Sequence, residues 1–233
     1  MNDKQKIAEL EAVLTQFLRP VRNIPFSLII KSMSGHDVLA INRDDVNDAA
    51  LVKKLTEVAQ RSSQLVAEKP IRRNRPNEVG NDIEAYVIDA AKQLGLSAEK
   101  PKTKSGIVKT TGYPDVLLGD SSGRPVYLEC KIFGQGSALT TMRSFYLSPS
   151  DNFKVTVSAL HLLIAFGVER EPIPESRDSF YRAVSFKLVD LSALKCDVKY
   201  EFNSDNRRLY HEESILAEGP LTGLLSASAP GLG

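Results

Sequence analysis

Cysteine, histidine and net charge are all scarce in this chain, and each shortage argues against a class of function. Two cysteines, Cys130 and Cys196, make neither a disulfide framework nor a zinc-ligand spacing, and read as small buried residues of a reducing compartment. Three histidines, His36, His161 and His211, show no ligand spacing, which argues against a histidine-based metal centre. The formal net charge of +1 gives no support to a purely electrostatic, histone-like DNA binder, although acidic ligands beside a basic cleft would also sum to near zero. No apolar run approaches the roughly 20 residues of a membrane span. The first ten residues alternate in charge and lack the apolar stretch of a signal peptide, so no membrane partner and a cytoplasmic location are expected. The chain has no internal repeat.

What is present is an ordinary globular composition, 42% apolar and 25% charged in 233 residues. That suffices for one large domain, or one domain with a modest helical annex, without disulfides or a structural metal. Ile7, Leu10, Val13, Leu14 and Leu18 have helical spacing within residues 3–18, and Pro20 stops the run. Residues 25–30 suit a short strand. Residues 45–68 suit a helix capped by Asp45 or Asn47, with Leu51, Leu55, Val58 and Leu65 along one face. Residues 69–76, with three arginines and two prolines, suggest an exposed connection, either a solvated linker or a phosphate-contacting loop.

A second helix is expected over residues 79–94, with Ile83, Val87, Ala90, Ala91 and Leu94 as its apolar stripe and Gly95 as its stop. Lys100, Lys102, Lys104 and Lys109 punctuate a polar stretch before the pattern turns to strands at Tyr113. Residues 167–179 look like loop; Val184, Phe186 and Leu188, then Val198, Tyr200 and Phe202, alternate as strands do. The expected fold is α/β or α+β, a central mixed sheet flanked by helices. Its divisions are a helical N-terminal subdomain (residues 1–70), a core with recognition elements (71–218) and a flexible tail (219–233) rich in Gly, Ser, Ala and Pro.

The chemistry concentrates between Thr111 and Lys131. Two apolar runs, 116–118 and 126–132, flank a turn at Gly119, Asp120, Ser121, Ser122 and Gly123, which is a hairpin signal. Strand alternation turns Tyr127, Glu129 and Lys131 one way and Val126, Leu128, Cys130 and Ile132 the other, into a core. Antiparallel pairing brings Asp115, at the start of the first strand, beside Glu129 and Lys131. Two carboxylates and an amine suit phosphodiester hydrolysis. Asp115 and Glu129, with the Cys130 carbonyl, offer hard oxygen ligands to Mg²⁺, and Lys131 can orient or help deprotonate water and stabilise the phosphorus centre. The alternative for the trio is a turn aspartate and a cross-strand ion pair on a wet sheet face.

Pro114-Asp115 followed by Glu129-Cys130-Lys131 on the second strand resembles the PD-(D/E)XK nuclease superfamily, and within it the type II restriction endonucleases. The resemblance spans residues 76–210. It implies a restriction-endonuclease-like fold, Mg²⁺-dependent cutting of double-stranded DNA with 5′-phosphate and 3′-hydroxyl ends, and a homodimer, since a palindromic target needs two related cuts. It also implies a further acid on the preceding helix; Glu84 fits better than Glu78, which precedes the expected helix. Candidate DNA-contacting residues are Arg143, Lys154, Asn203, Asn206, Arg207 and Arg208, although 203–208 could equally be a hairpin turn and each residue ordinary surface. His161, within an apolar run, suits a hydrogen-bonded core or cleft residue. The rivals are a repair or junction-resolving nuclease on the same core, and a DNA-binding protein without catalysis.

Overall fold

The structure, a computed structural model, describes residues 3–19, 21–134, 145–199 and 204–216. The chain forms two units: Val21–Asp197, and the two chain ends together, up to residue 20 and from residue 198. In the unit of the chain ends, the apolar spacing near the N-terminus yields helix α1 (Asp3–Phe17), which buries none of its residues. Asn206–Leu209 form a helical turn capped by the Asp205 side chain, which accepts from the Arg208 N–H. This is where a hairpin turn was one alternative.

The larger unit opens with strand β1 (Ile24–Pro25), followed by helix α2 (Phe26–Ser34), where the sequence suggested a strand. The reason is spacing. Phe26 and Ile30, four apart, are the two buried residues, while Leu28 is 54% exposed, so the buried side chains recur at a helical and not a strand interval. Gly35, at φ +79°, ends the helix in the left-handed conformation that glycine adopts without a steric penalty. Strand β2 (Val38–Leu39) leads to helix α3 (Val46–Glu68), whose cap is Asp45: its carboxylate accepts from the N–H groups of Asn47 and Asp48.

The basic segment is not a loose connection. Strand β3 (Ile71–Arg73) pairs antiparallel with a later strand, and helix α4 (Pro76–Gln93) starts directly after it, with Pro at its first position. Glu78 therefore sits inside the first turn of α4 instead of before it. Strands β4 (Ser97–Glu99), β5 (Val116–Gly119), β6 (Pro125–Gly134), β7 (Ala159–Pro172) and β8 (Ser179–Asp190) complete a mixed sheet in the order β3-β8-β7-β6-β5-β4. β2 and β6 lie parallel to β7, and the other neighbours are antiparallel. Strand β9 (Lys195–Cys196) pairs with β1 apart from this sheet.

The span expected as loop, 167–179, is mostly strand. Pro172 ends β7 opposite Ser179, so the two prolines mark the strand end and the connection without interrupting the ladder. Gly167 lies inside β7 at a register shift, where a Cβ would collide with the Ser185 hydroxyl and press on the Phe133 ring. Val198 is not in a strand, and residues 200–203 lie outside the described residues.

Alternation on the central strands builds two cores. Val126, Leu128 and Cys130 of β6, with Leu160, Leu162 and Ile164 of β7, pack against α3 and α4. Tyr127 on the opposite face packs with Phe26, Ile30, Tyr113, Val155 and Leu191. The sheet is thus flanked by helices, as expected, and β6 is covered on both sides. No helix among the described residues is long and apolar enough to cross a membrane.

Candidate active site

The β5–β6 hairpin sets the geometry. Its register pairs Val116 with Leu128 and Gly119 with Pro125, so one step beyond β5 Asp115 faces Glu129. The Cys130 N–H donates to Asp115 Oδ2 at 2.9 Å, fixing that carboxylate against the second strand. At the other end, Asp120 accepts from the backbone N–H groups of Ser122 and Arg124, which closes the turn. Arg124 then bridges Asp120 to Asp48 of α3, at 2.6 and 2.8 Å. The hairpin is held at both ends, and Asp115, Glu129 and Lys131 come together as the alternation requires.

Glu129 is 3% exposed. Lys131 Nζ donates to its Oε1 at 2.5 Å, while its Oε2 is buried with no hydrogen-bond partner. Burial first, and the neighbouring Asp115 charge second, push the Glu129 carboxyl up to about 7, against the opposing pull of Lys131. Burial alone would lower the Lys131 amine, but the Glu129 and Asp115 charges outweigh it and hold the amine above its ordinary value. Burial, then the same two carboxylates, also raise the Tyr113 phenol.

An orphaned buried oxygen on a desolvated carboxylate beside a second carboxylate fits a hard divalent cation. No group of three or more His, Cys, Asp or Glu side chains that could hold a metal is present among the described residues. Two carboxylates beside backbone oxygen could hold a hard divalent cation, with water completing its shell, and lack the nitrogen and sulfur donors that zinc prefers.

Glu84, on α4, is 7% exposed and ion-paired with Lys100. The Lys100 charge is felt at Cys130 and at Lys154, so Glu84 borders the site through Lys100. Lys154 is 3% exposed, and its ammonium donates to the carbonyls of Gly112 and Pro114 at 2.6 and 2.9 Å. To touch a base it would have to abandon both. His161 is fully buried, and its Nδ1 lies 2.6 Å from the Tyr113 hydroxyl. Burial pushes its pKa down to about 4, so it stays neutral, a core histidine beside Phe26 and Tyr127.

Of the remaining candidates, Asn206, Arg207 and Arg208 are exposed on the helical turn of the other unit, with Arg208 3.5 Å from Asp205. Arg143 and Asn203 lie outside the described residues. Two arginines of the basic segment are committed locally: Arg73 makes two hydrogen bonds of 2.7 Å to Asp82, and Arg72 one of 2.9 Å to Asp178. Reasoning from the sequence missed Lys100 as a site neighbour and Lys154 as a buried donor. Lys154 follows an aromatic and precedes Val155, a context no simpler signal separates from surface.

The family model described as "Type II restriction enzyme MjaV family" matches residues 20–213, which include the whole hairpin. The Type II restriction enzyme MjaV of Methanocaldococcus jannaschii is 36% identical over 236 residues, covering 95% of this chain and 100% of that protein. No solved structure matches the chain. The chain belongs to the Type II restriction enzyme MjaV family, and it is a type II restriction endonuclease.

Proposed function

We propose that this endonuclease cuts double-stranded DNA with Mg²⁺ held by Asp115, Glu129 and the Cys130 carbonyl. The observation that carries the proposal is the buried Glu129 Oε2, which has no donor, beside a second carboxylate. When bound, the cation supplies Lewis acidity and a nucleophilic water at neutral pH. The chain's own groups do the rest. The Cys130 N–H holds one Asp115 oxygen, leaving the other to turn towards a ligand. Lys131, protonated and anchored on Glu129, donates hydrogen bonds to the attacking water and to a phosphate oxygen as negative charge builds there. With its pKa raised, Lys131 orients the water better than it deprotonates it.

Glu84 is the further acid, and it reaches the site by releasing Lys100. Products carry 5′-phosphate and 3′-hydroxyl ends, by family resemblance. Arg143, Asn203, Asn206, Arg207 and Arg208 are the proposed DNA contacts. The protein acts in the cytoplasm as a homodimer, since one site per chain must act twice on a two-fold target. α1 supports this pairing. Ile7, Leu10 and Leu14, spaced three and four apart, are 42–62% exposed. Lys6 and Glu11 flank them where opposite charges meet across two parallel helices.

The test is plasmid digestion. Asp115→Ala and Lys131→Ala should each lower cleavage by at least about a hundredfold, as loss of a transition-state contact does, and duplex binding in Ca²⁺ should stay within about threefold. Persistent cutting by both variants would show that the centre lies elsewhere. A smear, or preference for branched DNA, would favour a repair or resolving nuclease.

A further inference from the structure

We propose that Lys154 is a positioning residue of the nuclease centre: its buried ammonium clamps the loop that aims Asp115. The proposal rests on the divalent-cation assignment of Asp115 and Glu129.

The geometry is a staple. Lys154 Nζ donates to the carbonyls of Gly112 and Pro114, at 2.6 and 2.9 Å, so one ammonium spans the two peptides that flank the Tyr113–Pro114 pair. The Pro114 carbonyl belongs to the peptide unit that leads into Asp115, and fixing it fixes where Asp115 leaves the loop. The loop needs such a brace. Gly112 sits at φ +83°, with nothing near the position a Cβ would occupy, so no side chain of its own packs there.

Lys154 is itself held from both sides. The Phe153 carbonyl accepts from the Lys104 N–H at 2.8 Å. Asn152 Oδ1 accepts from the Ser105 N–H at 3.1 Å, while the Asn152 amide donates to the Ser105 hydroxyl at 2.9 Å. Val155 is buried in the aromatic core, and the Thr156 N–H donates to the Tyr127 hydroxyl at 2.8 Å. The ammonium therefore arrives at the loop on a fixed backbone.

Charge explains why the residue is a lysine. Without the ammonium, two carbonyl oxygens would add to the negative potential of the two carboxylates and would lose their own donor. The Lys154 charge acts on both Asp115 and Glu129. A neutral side chain of equal length would fill the space but leave the two carbonyls unpaired and the loop unanchored.

The experiment compares wild type with Lys154→Met and Lys154→Gln. Plasmid cleavage is measured as a function of Mg²⁺, duplex binding in Ca²⁺, and folding by circular dichroism. Lys154→Met should raise the half-saturating Mg²⁺ concentration and lower kcat, each by about tenfold or more, the usual effect of losing an outer partner of a metal ligand. KM for DNA should stay within about threefold, because the ammonium is buried and spent on two backbone carbonyls. Lys154→Gln, which keeps one donor, should fall between. An unaltered Mg²⁺ requirement in folded Lys154→Met, or a raised KM as the sole change, would overturn the assignment; the second result would make Lys154 a DNA contact. Wild type that cuts equally well in a chelator would overturn the cation assignment, and this one with it.

A measurement on the intact enzyme guards against variants that do not fold. Under reductive methylation Lys154 should stay unmodified while exposed lysines such as Lys53 and Lys69 are dimethylated. Modification at their rate would remove the clamp.

Discussion

Glu129 decides how the site behaves with pH. Its carboxyl, 3% exposed, is pushed up to about 7 from an ordinary 4.5 by burial and then by Asp115. The folded protein without metal therefore holds this proton more tightly than the unfolded chain. The resulting stabilisation is full below pH about 4.5 and is lost as pH rises through about 7. Relative to Glu129→Gln, wild type in a chelator should lose about 2–3 kcal/mol between pH 5 and 8, read by urea denaturation at each pH. A constant difference would mean that Glu129 is ionised throughout. If Glu129 is a cation ligand as proposed, the same proton must leave first, so Ca²⁺ affinity should rise across pH 6–8. The trio itself was legible because strand period two leaves no choice about which residues share a face. Lys154 and Lys100 were not legible. Each reaches the centre from a separate segment, and only the folded chain shows their neighbours.

Elements were legible where periodicity ran long and illegible where proline or a short run broke it. α3 and α4 follow their apolar stripes, and residue type narrowed the α3 cap to Asp45 or Asn47, of which the structure has Asp45. The 25–30 stretch failed because six residues hold a strand period and a helix period about equally well. The 167–179 stretch failed because Pro172 sits at a strand end, where a missing N–H costs nothing. The hairpin's anchorage to α3 was hidden because Asp48 lies 76 residues before Arg124, the residue that ties it to Asp120. Asp48 accepts first from the Asn42 N–H and then from Arg124, and Asp120 is held by Ser122 and Arg124 despite its burial; both carboxyls lie below their ordinary 3.8. Arg124→Met should destabilise the protein by about 1–3 kcal/mol at pH 7, less than a fully buried pair because Arg124 is 39% exposed. The wild-type advantage exists above pH about 4 and disappears as pH falls below it, because protonated Asp48 and Asp120 no longer need the guanidinium. Equal acid midpoints for the two proteins would place the anchorage elsewhere.

At the scale of the whole molecule, a net charge of +1 conceals local separation: carboxylates gather at the centre while lysines surround them at Lys100, Lys131 and Lys154. In the proposed homodimer each chain's centre cuts one strand, and α1 is the surface proposed for the second copy. Its Ile7, Leu10 and Leu14 keep the three-four spacing of a two-helix seam, and they are exposed. Light scattering should give twice the chain mass for wild type and a single-chain mass for the doubly substituted Leu10→Lys, Leu14→Lys protein. If the pairing serves cleavage, that variant should convert supercoiled plasmid mainly to nicked circles, because each strand is then cut in an independent encounter. A two-chain mass that survives both lysines would move the dimer surface away from α1, and a single-chain wild type would leave double-strand cutting to two successive events.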